Sequence, residues 1–269
     1  MDLAPAGTPA TPEAGDFATL LRSRGLYPQS AGAVTSTHHG SATVETQATT
    51  ILAFKFADGV LVAGDRRATA GNTVVYDRAD KVLEIDSHSL MAIAGVPATA
   101  WEMARVLEHS FQFYRRSQLQ EMSLEGKVRA LSKLLRDNLG MVMQGVGVVV
   151  PLFAAYDPVV DAARLYFYDA MGAQFEVTDF AASGSGSPSV RSVLYYENTW
   201  GKKPLTKCRQ SEAIVIALRA LDTAAETDTA TGGVDRRGRV YPIIKIINSK
   251  GIQTLAEKDL ARVFKREVP

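Results

Sequence analysis

The chain has 269 residues, 46% of them hydrophobic, and a formal net charge of +1. That is apolar material for one or two cored domains, and the near-neutral balance argues against a nucleic-acid binder, which carries a basic face. The single cysteine, Cys208, rules out an internal disulfide, and the longest apolar run, Val146–Tyr156, is too short for a membrane span and contains Pro151.

Residues 1–48 are rich in Ala, Gly, Ser, Thr and Pro and contain no Lys. One island looks structured, Asp16–Tyr27, where Asp16 would cap a short helix presenting Phe17, Leu20 and Leu21. The remainder is too polar to offset the entropy of ordering. Two readings stay open for this leader: a disordered tail, or a pro-segment removed after residue 48. The first residues lack the basic region and continuous apolar stretch of a secretory signal, so the cytoplasm is the expected location.

From residue 50 the pattern becomes that of strands. Thr50–Phe56 and Val60–Asp65 are β-rich runs joined by Ala57-Asp58-Gly59, a hairpin signal. Lys81–Asp86 and Ser89–Gly95 repeat this around Ser87-His88. A helix is expected from Ala98 to about Ser117, with Trp101, Ala104, Leu107, Phe111 and Tyr114 at core spacing. A second runs from the cap Ser123 to about Gln144 through Val128, Leu131, Leu135 and Leu139. Strands return at Val148–Asp157, Ala163–Asp169 and Gln174–Thr178, then helices at about Ser187–Tyr196 and Ser211–Glu226. Strands Val240–Ile247 and Ile252–Leu255 and a helix from Ala256 to about Lys265 close the chain. Segregated blocks, rather than alternating βαβ units, predict an α+β layered domain with antiparallel sheets covered by helix pairs.

Familiar nucleophile and metal patterns fail. Gly184-Ser185-Gly186-Ser187 is not the Gly-x-Ser-x-Gly elbow. The four histidines, His38, His39, His88 and His109, form neither a spaced ligand pair nor a triad. What remains is Thr49, with Asp65 and Lys81 following it at equal spacing. A Thr hydroxyl needs a base. If Thr49 were the N-terminus of the working protein, its α-amine, with an ordinary pKa of about 7.7–8.0, could take the hydroxyl proton. A nearby Lys81 cation would favour the neutral amine, and Asp65 would hold that cation. On the residues alone, a solvated strand-end Asp and Lys are the ordinary reading.

From Thr49 to near the C-terminus the sequence resembles 20S proteasome β-subunits of the bacterial type. Thr49-Thr50-Ile51 resembles the mature start of active members. Ala63-Gly64-Asp65-Arg66-Arg67-Ala68-Thr69-Ala70-Gly71 resembles the strand and substrate-binding turn that follow, and Lys81 falls at the catalytic lysine position. Ala94-Gly95, Gly184-Ser185-Gly186-Ser187 and Asp228-Thr229-Ala230-Thr231-Gly232-Gly233 match three later motifs.

The resemblance implies a four-layer αββα sandwich, the N-terminal nucleophile hydrolase fold, and a threonine endopeptidase that needs no cofactor or metal. Thr49 would be the nucleophile, Lys81 would tune it, Asp65 would orient Lys81, and the Gly95 amide would hold the oxyanion. Ser185, Asp228 and Thr231 would support the amine and its water; Thr231 stands where many members have Ser. Backbone groups of Thr69 and Gly95 would pair with the substrate strand, while Ala68, Ala79, Leu83, Ile93 and Pro97 would line an apolar P1 pocket favouring hydrophobic residues. Implied partners are a homoheptameric β-ring stacked on a second, capping α-subunit rings in a 28-subunit α7β7β7α7 particle, a regulatory ATPase ring, and unfolded protein substrates, with neither nucleic acid nor membrane. Residues 1–48 would be a propeptide and 49–269 the catalytic domain. The cleavage site would be Ala48–Thr49, where the family usually has Gly before Thr; the strained turn would cost Ala about 1–2 kcal/mol more. Two alternatives are a simpler double-ring ATP-dependent Thr protease and a non-catalytic ring subunit. Retention of Thr49, Asp65 and Lys81 together argues against the latter.

Overall fold

A computed structural model describes residues 17–24, 49–70, 73–235 and 240–268. In chain order the elements are α1 (Phe17–Ser23), β1 (Thr50–Phe56), β2 (Gly59–Gly64), β3 (Ala68–Ala70), β4 (Thr73–Tyr76), β5 (Val82–Asp86) and β6 (Ser89–Ala92). Helices α2 (Pro97–Gln118), α3 (Leu124–Asp137) and α4 (Leu139–Met143) follow, then β7 (Leu152–Asp157), β8 (Ala162–Tyr168), β9 (Gln174–Glu176) and β10 (Phe180–Gly184). The chain continues through α5 (Ser187–Trp200), α6 (Gln210–Thr227), β11 (Ile243–Asn248), β12 (Gly251–Thr254) and α7 (Glu257–Glu267).

Period-two alternation in β1 explains the layering. Leu52, Phe54 and Phe56 point to one side and pack with residues of α5, α6 and α7. Ile51 and Ala53 point to the other and meet Leu90 of β6, Leu152 and Ala154 of β7, and Leu165 of β8. β2 does the same, with Leu61 and Ala63 toward the helices and Val60 and Val62 between the sheets. The first sheet runs β10-β1-β2-β11-β12 and the second β5-β6-β7-β8-β9, and their pairings are antiparallel. Met91, Phe153 and Tyr168 on the far face of the second sheet pack under Leu107 and Phe111 of α2 and Leu131 and Leu135 of α3. Helix, sheet, sheet and helix therefore stack as the expected αββα sandwich. Phe54 is fully buried in the first helix–sheet core, so Phe54→Ala should cost about 3–5 kcal/mol, measurable by chemical denaturation.

Several boundaries differ from the sequence expectation, each with a local cause. The helix expected through residue 144 breaks at Asn138, whose side-chain amide donates to the Gly147 carbonyl at 2.7 Å. β7 starts at Leu152 rather than Val148, because Pro151 has no N–H to donate to a ladder; Val149 only bridges Gly95. β11 likewise starts after Pro242, and the strand β10 and the hairpin β3–β4 were not expected. Trp101 is exposed on α2 rather than buried. The leader helix forms as expected: the Phe17 ring lies 5.6 Å from Phe113 and 6.3 Å from His109, on α2. Its expected cap, Asp16, lies outside the described residues.

Candidate active site

Asp65 follows the last residue of β2 and is fully buried. Four donors converge on its carboxylate. Oδ1 accepts the Lys81 ammonium at 2.7 Å and the Thr50 amide at 2.8 Å; Oδ2 accepts the amides of Arg67 and Gly232, each at 2.9 Å. Lys81, immediately before β5, is buried too and donates a second hydrogen bond to the Arg67 carbonyl at 2.5 Å. Burial pulls the Lys81 pKa below the ordinary lysine value; the Asp65 charge and hydrogen bond oppose that without cancelling it, and the Arg67 charge adds to it. The carboxylate thus receives four donors and the ammonium places two of its three protons, satisfaction of the kind a buried pair needs to persist.

A second polar cluster lies at the other edge of β1. Thr49 is buried, and its carbonyl accepts the Ser185 amide at 3.1 Å. Gly184 pairs with Thr50 in the β1–β10 ladder. Its φ is +93°, and a Cβ there would fall 1.6 Å from the Thr49 carbonyl oxygen, so this approach requires glycine. Asp228 ends α6, and its Oδ2 accepts the hydroxyls of Ser185 and Thr231, each at 2.6 Å, while Oδ1 accepts the Ala230 amide at 3.1 Å. Burial pushes the Asp228 pKa up, but the three hydrogen bonds and the Arg67 charge outweigh it and hold the carboxyl below its ordinary range. The Arg67 guanidinium ties this loop to the first cluster by donating to the carbonyls of Thr229 at 2.8 Å and Thr231 at 3.2 Å.

The structure therefore brings Asp65 together with Lys81, Ser185 with Thr49, and Asp228 with Ser185 and Thr231. Gly95 bridges Val149 through bonds made by the flanking Val96 and Val150 amides, so its own N–H points away from that strand. Ile93 donates its amide to the Lys81 carbonyl at 2.9 Å, which sets the 93–95 segment beside Lys81. Ala68 and Thr69 lie on β3, Ala79 and Leu83 flank Lys81 at the start of β5, and Pro97 opens α2. Ala48 lies outside the described residues. Sequence reasoning missed Arg67, Gly232 and Thr50 as contributors. All three sit inside the motifs quoted above, yet each holds Asp65 through a backbone amide that no residue type reveals.

Among the described residues, no group of three or more His, Cys, Asp or Glu could hold a metal ion, and no helix is long and apolar enough to cross a membrane. Comparison with known proteins bears on the whole arrangement. Residues 45–237 match the family model described as "Proteasome subunit". The chain belongs to this family. It is 40% identical over 213 residues to "Proteasome subunit beta" of Jonesia denitrificans, covering 79% of this chain and 68% of that protein. It is 40% identical over 215 residues to "Proteasome subunit beta 2" of Thermomonospora curvata, covering 80% and 74%. "Proteasome subunit beta" of Streptosporangium roseum is 39% identical over 216 residues, covering 79% and 73%. The chain is a bacterial-type proteasome β-subunit, and its αββα sandwich is the fold of that family. A subunit of this kind assembles into a proteasome particle with other subunits.

Proposed function

We propose that this β-subunit is catalytic, a threonine endopeptidase whose nucleophile is Thr49. The observation that carries the reading is the position of the buried Asp65–Lys81 pair. Asp65 also accepts the amide of Thr50, the residue next to Thr49, so an ammonium of lowered pKa is fixed to the strand that begins directly after Thr49. A buried ammonium of lowered pKa beside a candidate nucleophile is the kind of perturbed group that clusters at functional sites.

The reaction begins once the leader is removed after Ala48 and Thr49 carries a free amine. The Thr49 Oγ attacks the peptide carbonyl carbon, and its proton passes to the amine, directly or through a water held near Ser185 and Asp228. Lys81 keeps that amine towards its neutral form. The Gly95 amide takes the oxyanion; losing one such donor costs about 3–4 kcal/mol in other hydrolases. The amine then protonates the departing nitrogen, leaving an ester on Thr49 that water cleaves. Thr231 supplies the hydroxyl found as Ser in many members. Thr69 pairs with the substrate backbone, and Ala68, Ala79, Leu83, Ile93 and Pro97 form an apolar P1 surface. The working unit is a pair of homoheptameric β-rings between α-rings in the cytoplasm, fed unfolded chains by an ATPase ring.

The test is co-expression with an α-subunit, N-terminal mass analysis, and a fluorogenic panel. A new N-terminus at Thr49, its labelling by an electrophile that traps N-terminal Thr, and fastest cleavage after hydrophobic P1 residues are expected. A full-length chain with peptidase activity would overturn the mechanism, and fastest cleavage after basic residues would overturn the pocket.

A further inference from the structure

The side chain of Thr50 is fully buried, and its hydroxyl meets two partners from distant parts of the chain. The Gly186 amide donates to it at 2.9 Å, and it lies 2.6 Å from the hydroxyl of Thr231, itself fully buried. Counting protons fixes the direction of each bond. Asp228, its pKa held down, only accepts, and it takes the one proton of Thr231. Thr231 is then an acceptor toward Thr50. Thr50 gives its own proton to Thr231, and its lone pair takes the Gly186 N–H. The order is Gly186 N–H to Thr50, Thr50 to Thr231, and Thr231 to Asp228. Space enforces the arrangement, since a Cβ on Gly186 would fall 2.6 Å from both hydroxyl oxygens. Through its own amide Thr50 also holds Asp65 Oδ1, the oxygen that binds Lys81.

We infer that Thr50 is a positioning residue: it joins the Asp65–Lys81 pair, through its backbone, to the Ser185–Asp228–Thr231 set, through its hydroxyl, and so fixes the strand end on which Thr49 sits. The inference rests on the reading of Thr49 as nucleophile. Neither hydroxyl in the chain touches substrate; their task is to hold the supporting groups in register with the reacting one. Valine at position 50 keeps the shape of threonine and removes the proton. It leaves the buried Gly186 N–H without its acceptor and the Thr231 oxygen without the donor from Thr50, although Thr231 still donates to Asp228; the unpaired N–H is the costly half of the lost hydrogen bonds.

The test compares assembled wild-type, T50V, T50S and T231V particles by peptidase kinetics and N-terminal mass. T50V should lower kcat about tenfold or more with KM little changed, as expected when a buried partner is removed without altering the substrate surface. T50S keeps the proton and should recover most of that rate. T231V breaks the same contact from its other end, so adding T50V to it should cost little more. A T50V particle with wild-type kcat, a change confined to KM, or T50S as impaired as T50V would overturn the inference. If T50V does not assemble, a T231V particle with wild-type kcat overturns it in its place. Failure of the parent reading looks different: the wild-type particle itself would lack peptidase activity and a labelled Thr49.

Discussion

Thr49→Ala should abolish peptide hydrolysis while leaving the sandwich intact and the leader attached. The position is buried at the start of β1 and its carbonyl is held by the Ser185 amide, a bond that alanine keeps. Only the hydroxyl and the γ-methyl are lost. Removing the nucleophile of a hydrolase whose groups act as a unit lowers kcat on the order of 10⁶-fold, and a loss of at least 10⁴-fold is expected here. Mass analysis should find the full-length chain, since the same hydroxyl would cut the bond before it. T49S, which retains a hydroxyl, should keep measurable activity. Cleaved leader and near-normal turnover in Thr49→Ala would exclude Thr49 as the nucleophile.

Asp65→Asn should impair both stability and turnover. The carboxylate receives four donors. A carboxamide replaces one of the two oxygens with an NH2 group, so whichever way it turns, two of the four donors face a donor. Lys81 would stay buried without a compensating charge, and breaking a buried pair from one side costs about 3–5 kcal/mol. For a domain of this size that lowers the midpoint of thermal unfolding by roughly 6–20 °C. Peptidase activity should fall as well, because the ammonium loses the group that aims it. A variant with unchanged melting and near-normal turnover would show that the pair neither supports the fold nor serves the site.

The layered fold was legible because β1 and β2 are short apolar runs around an Asp-Gly turn, the helices carry apolar residues at helical spacing, and the blocks are segregated. β10 was not. Its sequence, Phe-Ala-Ala-Ser-Gly, is short and small-residued and merges into a Gly-Ser stretch that reads as loop. The small size suits close packing beneath α5, which only the tertiary arrangement reveals. The break at Asn138 was hidden because Leu139 and Val142 continue the helical spacing across it. At the site, Asp65 and Lys81 were visible as types at a spacing. The Arg67 carbonyl and the Gly232 amide were not, since backbone groups carry no letter. Thr50 was visible as half of a Thr pair, but a buried hydroxyl cannot be told from an exposed one in sequence.

β1 is an interior strand, laddered on one side to β10 and on the other to β2, up to the pairs Thr50–Gly184 and Ile51–Gly64. A residue at such a place does not fray alone. Its amide neighbours should exchange with solvent only in the slowest, near-global openings of the domain. Thr49 therefore stands on the least adjustable part of the molecule, whereas the short hairpin β3–β4, with Val74, Val75 and Tyr76 exposed, belongs to neither large sheet. If β3 pairs with substrate as proposed, sequence drift in that hairpin can retune which peptides fit without moving the atom proposed to react.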